Sequence, residues 1–71
     1  MLTLDAIFAY TERVIAEDSL SGNRASLLHT QRACGYLMTA AETSDDQASA
    51  RRFRILAALA ANKHEELAKQ R

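Results

Sequence analysis

Cys34, His29 and His64 are the side chains of this sequence best suited to hold a metal ion or attack an electrophile, and their spacing favours neither. His29 and Cys34 lie five residues apart, about 140° around a helix, so they do not converge on one ion. His64 precedes Glu65 and Glu66, but no His, Cys or carboxylate stands four residues from it on either side. A thiolate nucleophile needs an adjacent base or cation. The helical neighbours of Cys34 are Thr30, Gln31, Leu37 and Met38, none of them basic, so Cys34 reads as a small core residue. Of the carboxylate pairs, Asp45 with Asp46 suits a helix start and Glu65 with Glu66 a solvated face. There is no Gly-rich phosphate loop and no G-x-S-x-G turn. The expectation is a protein that is not an enzyme, with no catalytic residue, no metal site and no cofactor.

Cations offer a different chemistry. Lys and Arg together number nine, as do Asp and Glu, so the formal net charge is zero. The balance is uneven along the chain: residues 1–22 carry −3, residues 23–42 carry +1 and residues 43–71 carry +2. Arg51, Arg52 and Arg54 cluster in the last of these segments, with Arg24 and Arg32 before them. A nucleic-acid-binding regulator using Arg51, Arg52 and Arg54 is therefore the first alternative function. Against it, Asp45 and Asp46 occupy the end that would meet phosphates, and the total charge is not basic.

Asp18-Ser19-Leu20 resembles the D-S-L tripeptide that carries the phosphopantetheine arm in acyl carrier proteins. The resemblance implies a remote alternative, an acyl-carrier-like protein modified on Ser19. It covers three residues. In that family the serine begins a helix and the domain is strongly acidic, whereas here Ser19 follows directly on the first helical stretch and net charge is zero.

Whatever chemistry is present rests on a small scaffold. The chain has 71 residues, no proline and two glycines. Hydrophobic residues make up 48%, but 14 of them are alanine, and only 15 residues are Leu, Ile, Val or Phe. That lies just above the level of about 20% below which disorder is the default. The single Cys34 forms no internal disulfide, so nothing covalent compensates for a small core. No basic leader opens the sequence, and the longest uncharged run, residues 33–41, is too short and polar to span a bilayer. A cytoplasmic location without membrane contact is expected.

Periodicity predicts one all-α domain over residues 1–71, with helices at about 3–18, 23–42 and 44–69. Thr3 and Asn23 are the predicted N-caps of the first two, and Ser44 with Gln47 has the form of a capping box for the third. The first helix collects Leu4, Ile7, Phe8, Thr11, Val14 and Ile15 on one stripe. The second gathers Leu27, Thr30, Cys34, Leu37, Met38 and Ala41, with a further face of Ala25, His29, Ala33, Tyr36 and Ala40 edged by Arg32. The third is apolar on most sides: Phe53, Leu56, Ala57, Ala60 and Leu67 form one stripe, Ala48, Ile55 and Leu59 a second. Two shorter helices do not cover so broad an apolar surface. The expectation is a helical-bundle homodimer of three-helix chains, with Leu56, Ala57, Ala60 and Leu67 at the dimer interface.

A non-catalytic interaction or regulatory protein, adaptor or inhibitor in type, is the function that best fits these faces. His29, Arg32, Tyr36, Arg52 and Phe53 are the predicted contacts with an unidentified protein partner, because rings and arginines dominate such interfaces. Arg52 and Lys63 fall beside apolar positions of the third helix, so their charges must reach water or meet carboxylates; the acidic first helix is one source.

Overall fold

Thr3, Asn23 and Asp46 each leave the helical backbone region and accept a hydrogen bond from the amide three residues on. Their partners are Ala6, Ser26 and Ser49, all at 3.1 Å. These caps open the three helices of the computed structural model, which describes residues 1–70: α1 (Leu4–Ser21), α2 (Arg24–Thr43) and α3 (Gln47–Lys69). No strand occurs among the described residues, so the chain is all-α with three helices. None of the helices is long and apolar enough to cross a membrane.

Two short connections set the topology. α1 runs three residues beyond the predicted end at Asp18, because Ser19, Leu20 and Ser21 complete its last turn. It stops where Gly22 takes φ 73°, a left-handed conformation that glycine adopts without a Cβ penalty. The amides of Gly22 and Asn23 both donate to the Asp18 carbonyl, closing the helix end. The Ser26 hydroxyl donates to the Asp18 carboxylate and ties the start of α2 to the end of α1.

The second connection corrects the predicted start of α3. Ser44 ends α2, donating its amide to the Ala40 carbonyl, and Asp46, not Ser44, caps α3. The tight turn needs the intervening residues. Asp45 adopts φ 61°, its amide bonds to Glu42 O at 3.0 Å, and the Asp46 amide bonds to Ala41 O at 2.8 Å. This pattern of a left-handed residue followed by a long return bond satisfies the last carbonyls of α2. Gln47 is then the first residue of α3, two positions before the third-residue site that a capping box needs.

The Ser49 hydroxyl and amide beside Asp46 hold its carboxyl below the ordinary carboxylate range. A folded-state pKa below the unfolded one adds stability above the unfolded value, near pH 4, and loses it as pH falls through the folded value. Asp46→Asn keeps a capping oxygen but no charge. Its melting temperature should therefore decline less steeply than the wild type's between neutrality and pH of about 2. Circular dichroism melts across that range read the difference, and superimposable acid limbs would remove the role.

α2 and α3 share the longest interface, and α1 lies more lightly against both. The buried cluster is Phe8 and Ile15 from α1, Leu27 and Cys34 from α2, and Phe53, Leu56 and Ala60 from α3. Ile7, Leu37, Met38, Ala57 and Leu67 pack around it half-buried. Each large apolar side chain fully removed from water contributes about 1.5–3 kcal/mol, so a cluster this small leaves little excess stability. Phe8 and Phe53 meet with ring centroids 4.7 Å apart and planes tilted by 47°, joining α1 to α3. The Arg52 guanidinium covers the outer side of this pair, 3.9 Å from the Phe8 centroid and 3.4 Å from Asp5. The acidic first helix thus supplies the carboxylate that Arg52 requires.

Three predicted contact residues are consequently internal. Phe53 is 3% exposed, Leu56 6% and Ala60 0%, all covered by helices of their own chain. They are not available to a partner or a second copy while this fold persists. The physical reason is rotation of α3: the Phe53–Leu56–Ala60 stripe faces inward, and the Ile55–Leu59 stripe is left outside. Gly35, at mid-helix in α2, has nothing within 4 Å of where a Cβ would stand, so no backbone of this chain approaches it closely.

Candidate interaction face

Because α1 packs lightly on α2, the seam between them stays open and apolar. Ile7, Val14 and Thr11 are half-buried along α1, facing Ala33, Leu37 and Ala41 of α2. Two hollows follow this seam, and a third adjoins them on α2 alone. One of 220 Å³ lies between Leu4 and Ile7 on one side and Leu37, Ala40 and Ala41 on the other, with Phe53 lining it from α3. The second, of 170 Å³, is lined by Tyr10, Thr11 and Val14 of α1 and by His29, Ala33, Cys34 and Leu37 of α2. The third, a shallow depression of 350 Å³, is formed by Tyr36, Thr39, Ala40, Thr43 and Ser44. Leu37 is common to the first two, and Ala40 and Ser44 to the first and third, so the hollows make one continuous face.

Charge is nearly missing from this face. The three hollows are lined by no Lys, Arg or Glu and by one Asp, Asp46, whose carboxylate already accepts the Ser49 amide; His29 lines the second. A quarter of the sequence is charged, so those charges are gathered elsewhere. Tyr10 and Tyr36 stand at the rim, 60% and 77% exposed, offering large rings beside an apolar floor. Arg13 lies over the Tyr10 ring at 5.5 Å and keeps it on the α1 side.

The predicted site residues separate into groups. His29 and Tyr36 belong to this face, His29 in the second hollow and Tyr36 in the third. Arg32 is exposed one helical turn from Tyr36. Arg52 lies instead on the α1–α3 side, engaged by Asp5 and Phe8. Ala57 and Leu67 are half-buried against the core, beside the buried Leu56 and Ala60. Arg51 and Arg54 are exposed, but Arg52 turns away from them toward α1. Lys63 pairs along α3 with Glu66 at 3.7 Å. Sequence reasoning missed the α1 half of the face, Leu4, Tyr10 and Val14. Tyr10, flanking the apolar stripe of α1 rather than within it, was the available signal.

One thiol belongs to this face. Cys34 lies buried on its floor, and that burial pushes the thiol pKa up, so the sulfur stays protonated near neutrality. No group of three or more His, Cys, Asp or Glu side chains among the described residues is placed to hold a metal ion. Ser19 is half-buried inside the last turn of α1 rather than at a helix start. Comparison with protein-family models, with curated protein sequences and with solved structures finds no match.

Proposed function

We propose that this chain is a non-catalytic interaction protein, adaptor or inhibitor in type, that works as a helical homodimer through protein–protein contact. The observation that carries this reading is the uncharged α1–α2 face, a continuous apolar groove rimmed by Tyr10, His29 and Tyr36. Grooves of this kind receive the apolar side of a helix, and exposed tyrosines act as anchors at their edges. Arg32, one turn from Tyr36, supplies a cation at the margin.

Arg32→Glu combined with Tyr36→Ala should abolish affinity capture of partner proteins from the source cell while leaving helicity unchanged. Both residues are exposed, so neither change opens the core. Recovery of the same proteins by the variant and the wild type, compared by mass spectrometry, would overturn the reading. The nucleic-acid alternative has weaker support, because Arg52 is already engaged by Asp5 and separated from Arg51 and Arg54. An acyl-carrier role for Ser19 is weaker still, since Ser19 is a half-buried residue within a helix.

A further inference from the structure

We infer that the occupant of the α1–α2 groove is the same groove of a second copy of this chain, the two related by a twofold axis. The inference rests on the homodimer part of the reading above and assigns that contact to this groove, leaving the margin at Arg32 for a foreign partner.

Surface area is the first argument. The chain exposes 5059 Å² at a mass of 7.9 kDa. Size scaling for folded monomers gives about 4,400 Å² at that mass, so about 650 Å² is in excess. A stable interface of ordinary size removes about 800 Å² from each partner. The excess is therefore close to what one such interface would cover. Shape agrees with area: the radius of gyration is 12.4 Å, against about 11 Å expected for a compact chain of this length. The Cα envelope is a slab of 42 × 23 × 14 Å, and pairing two slabs face to face would restore a normal thickness.

Charge selects which face pairs. In a twofold interface each patch meets itself, so residues near the axis meet their own kind. A charged patch there repels itself, whereas the α1–α2 hollows are lined by no Lys, Arg or Glu, and their one Asp, Asp46, accepts the Ser49 amide. The competing apolar patch, Ile55 and Leu59 on the outside of α3, lacks this property. Arg51 and Arg52 precede Ile55 by one turn, and Lys63 follows Leu59 by one turn. Arg52 and Lys63 are engaged by Asp5 and Glu66, so self-pairing there would set Arg51, which has no carboxylate partner among the described residues, against its own copy. Ala33 and Ala40 also present only methyl groups along α2, letting a helix approach closely where Tyr10 and Tyr36 enclose it.

Sedimentation equilibrium of the full chain, alone and as three variants, tests the assignment. Wild type should be dimeric at micromolar concentration. Ala40→Glu and Tyr36→Glu each place a carboxylate on an exposed position of the face. Each should weaken dimerisation by roughly tenfold or more, with unchanged far-ultraviolet circular dichroism. Ile55→Glu, on the outside of α3, should remain as dimeric as wild type. Two substitutions guard against a single variant that misfolds. A dimer that survives both groove changes, or is lost with Ile55→Glu, overturns the seam but leaves the contact reading in place. A wild-type chain that stays monomeric at high micromolar concentration overturns the second-copy occupant and the homodimer with it. Capture lost by the Arg32→Glu and Tyr36→Ala double variant would then assign the groove to a foreign protein. Loss of neither dimer nor capture would overturn both readings.

Discussion

Phe53→Ala should lower the melting temperature of this chain by tens of degrees. Phe53 is 3% exposed and joins α3 to α1 through the Phe8 ring 4.7 Å away. Truncating a buried phenylalanine to alanine costs about 3–5 kcal/mol, the transfer term plus the cavity left behind. At 0.05–0.15 kcal/mol per residue, a chain this long has only about 4–10 kcal/mol in total. The substitution therefore removes from about a third of the stability to all of it. Collapse around the gap offers little relief, because Phe53 also lines the 220 Å³ hollow and water gains direct entry. The melting temperature should fall by roughly 4–8 °C for each kcal/mol lost, so by tens of degrees. Amide exchange should accelerate first in α1, the most lightly held helix. Phe53→Leu, which retains most of the apolar volume, should be much milder. A Phe53→Ala protein melting within a few degrees of wild type would show that the aromatic pair does not hold α1 in place.

Ala60→Leu should also destabilise, and independently of protein concentration. The Ala60 side chain is 0% exposed, enclosed by its own chain in the cluster that contains Leu27, Cys34 and Leu56. Three added carbons have no space there, and overpacking of this sort typically costs about 1–3 kcal/mol. The sign separates two pictures of α3. At an open dimer seam, added apolar bulk would be tolerated or would strengthen association. In a closed monomer core it lowers the melting temperature equally at dilute and concentrated protein. Melts at two concentrations differing by about a hundredfold, followed by circular dichroism, distinguish these outcomes.

The secondary structure is largely legible in the sequence, for local reasons. Thr3 and Asn23 cap the helices predicted for them, and the inward stripe of α1 holds Phe8 and Ile15 as its periodicity implies. Errors fell at turns. Ser44 has the chemistry of an N-cap, but the return bonds from Asp45 and Asp46 fix where α2 ends, and they leave that role to Asp46. At the other turn Ser19 and Ser21 resemble loop residues yet remain helical, since Gly22 alone takes the reversed φ.

The site was legible only in part. His29 and Tyr36 were singled out from the second face of α2, and both lie on the groove. Arg52 was singled out for the same purpose and is held by Asp5 across 47 positions of sequence. Phe53 was expected as an outward anchor and lies in the core.

What the sequence by itself determines is that three helices form, where each begins, and which residues share a stripe on each. Those properties depend on the 3.6-residue repeat and on side chains bonding to amides three positions away, all within a few residues of chain. A helix with two apolar stripes, however, does not by itself decide which one faces inward. Only the tertiary structure turned Phe53, Leu56 and Ala60 inside and left Ile55 and Leu59 outside. It also left the α1–α2 seam open while closing the seam of α2 with α3. Rotation and spacing of helices follow from how side chains of distant segments interlock. The small apolar content that first suggested a second chain remains a reason to expect one, now on the other side of the molecule.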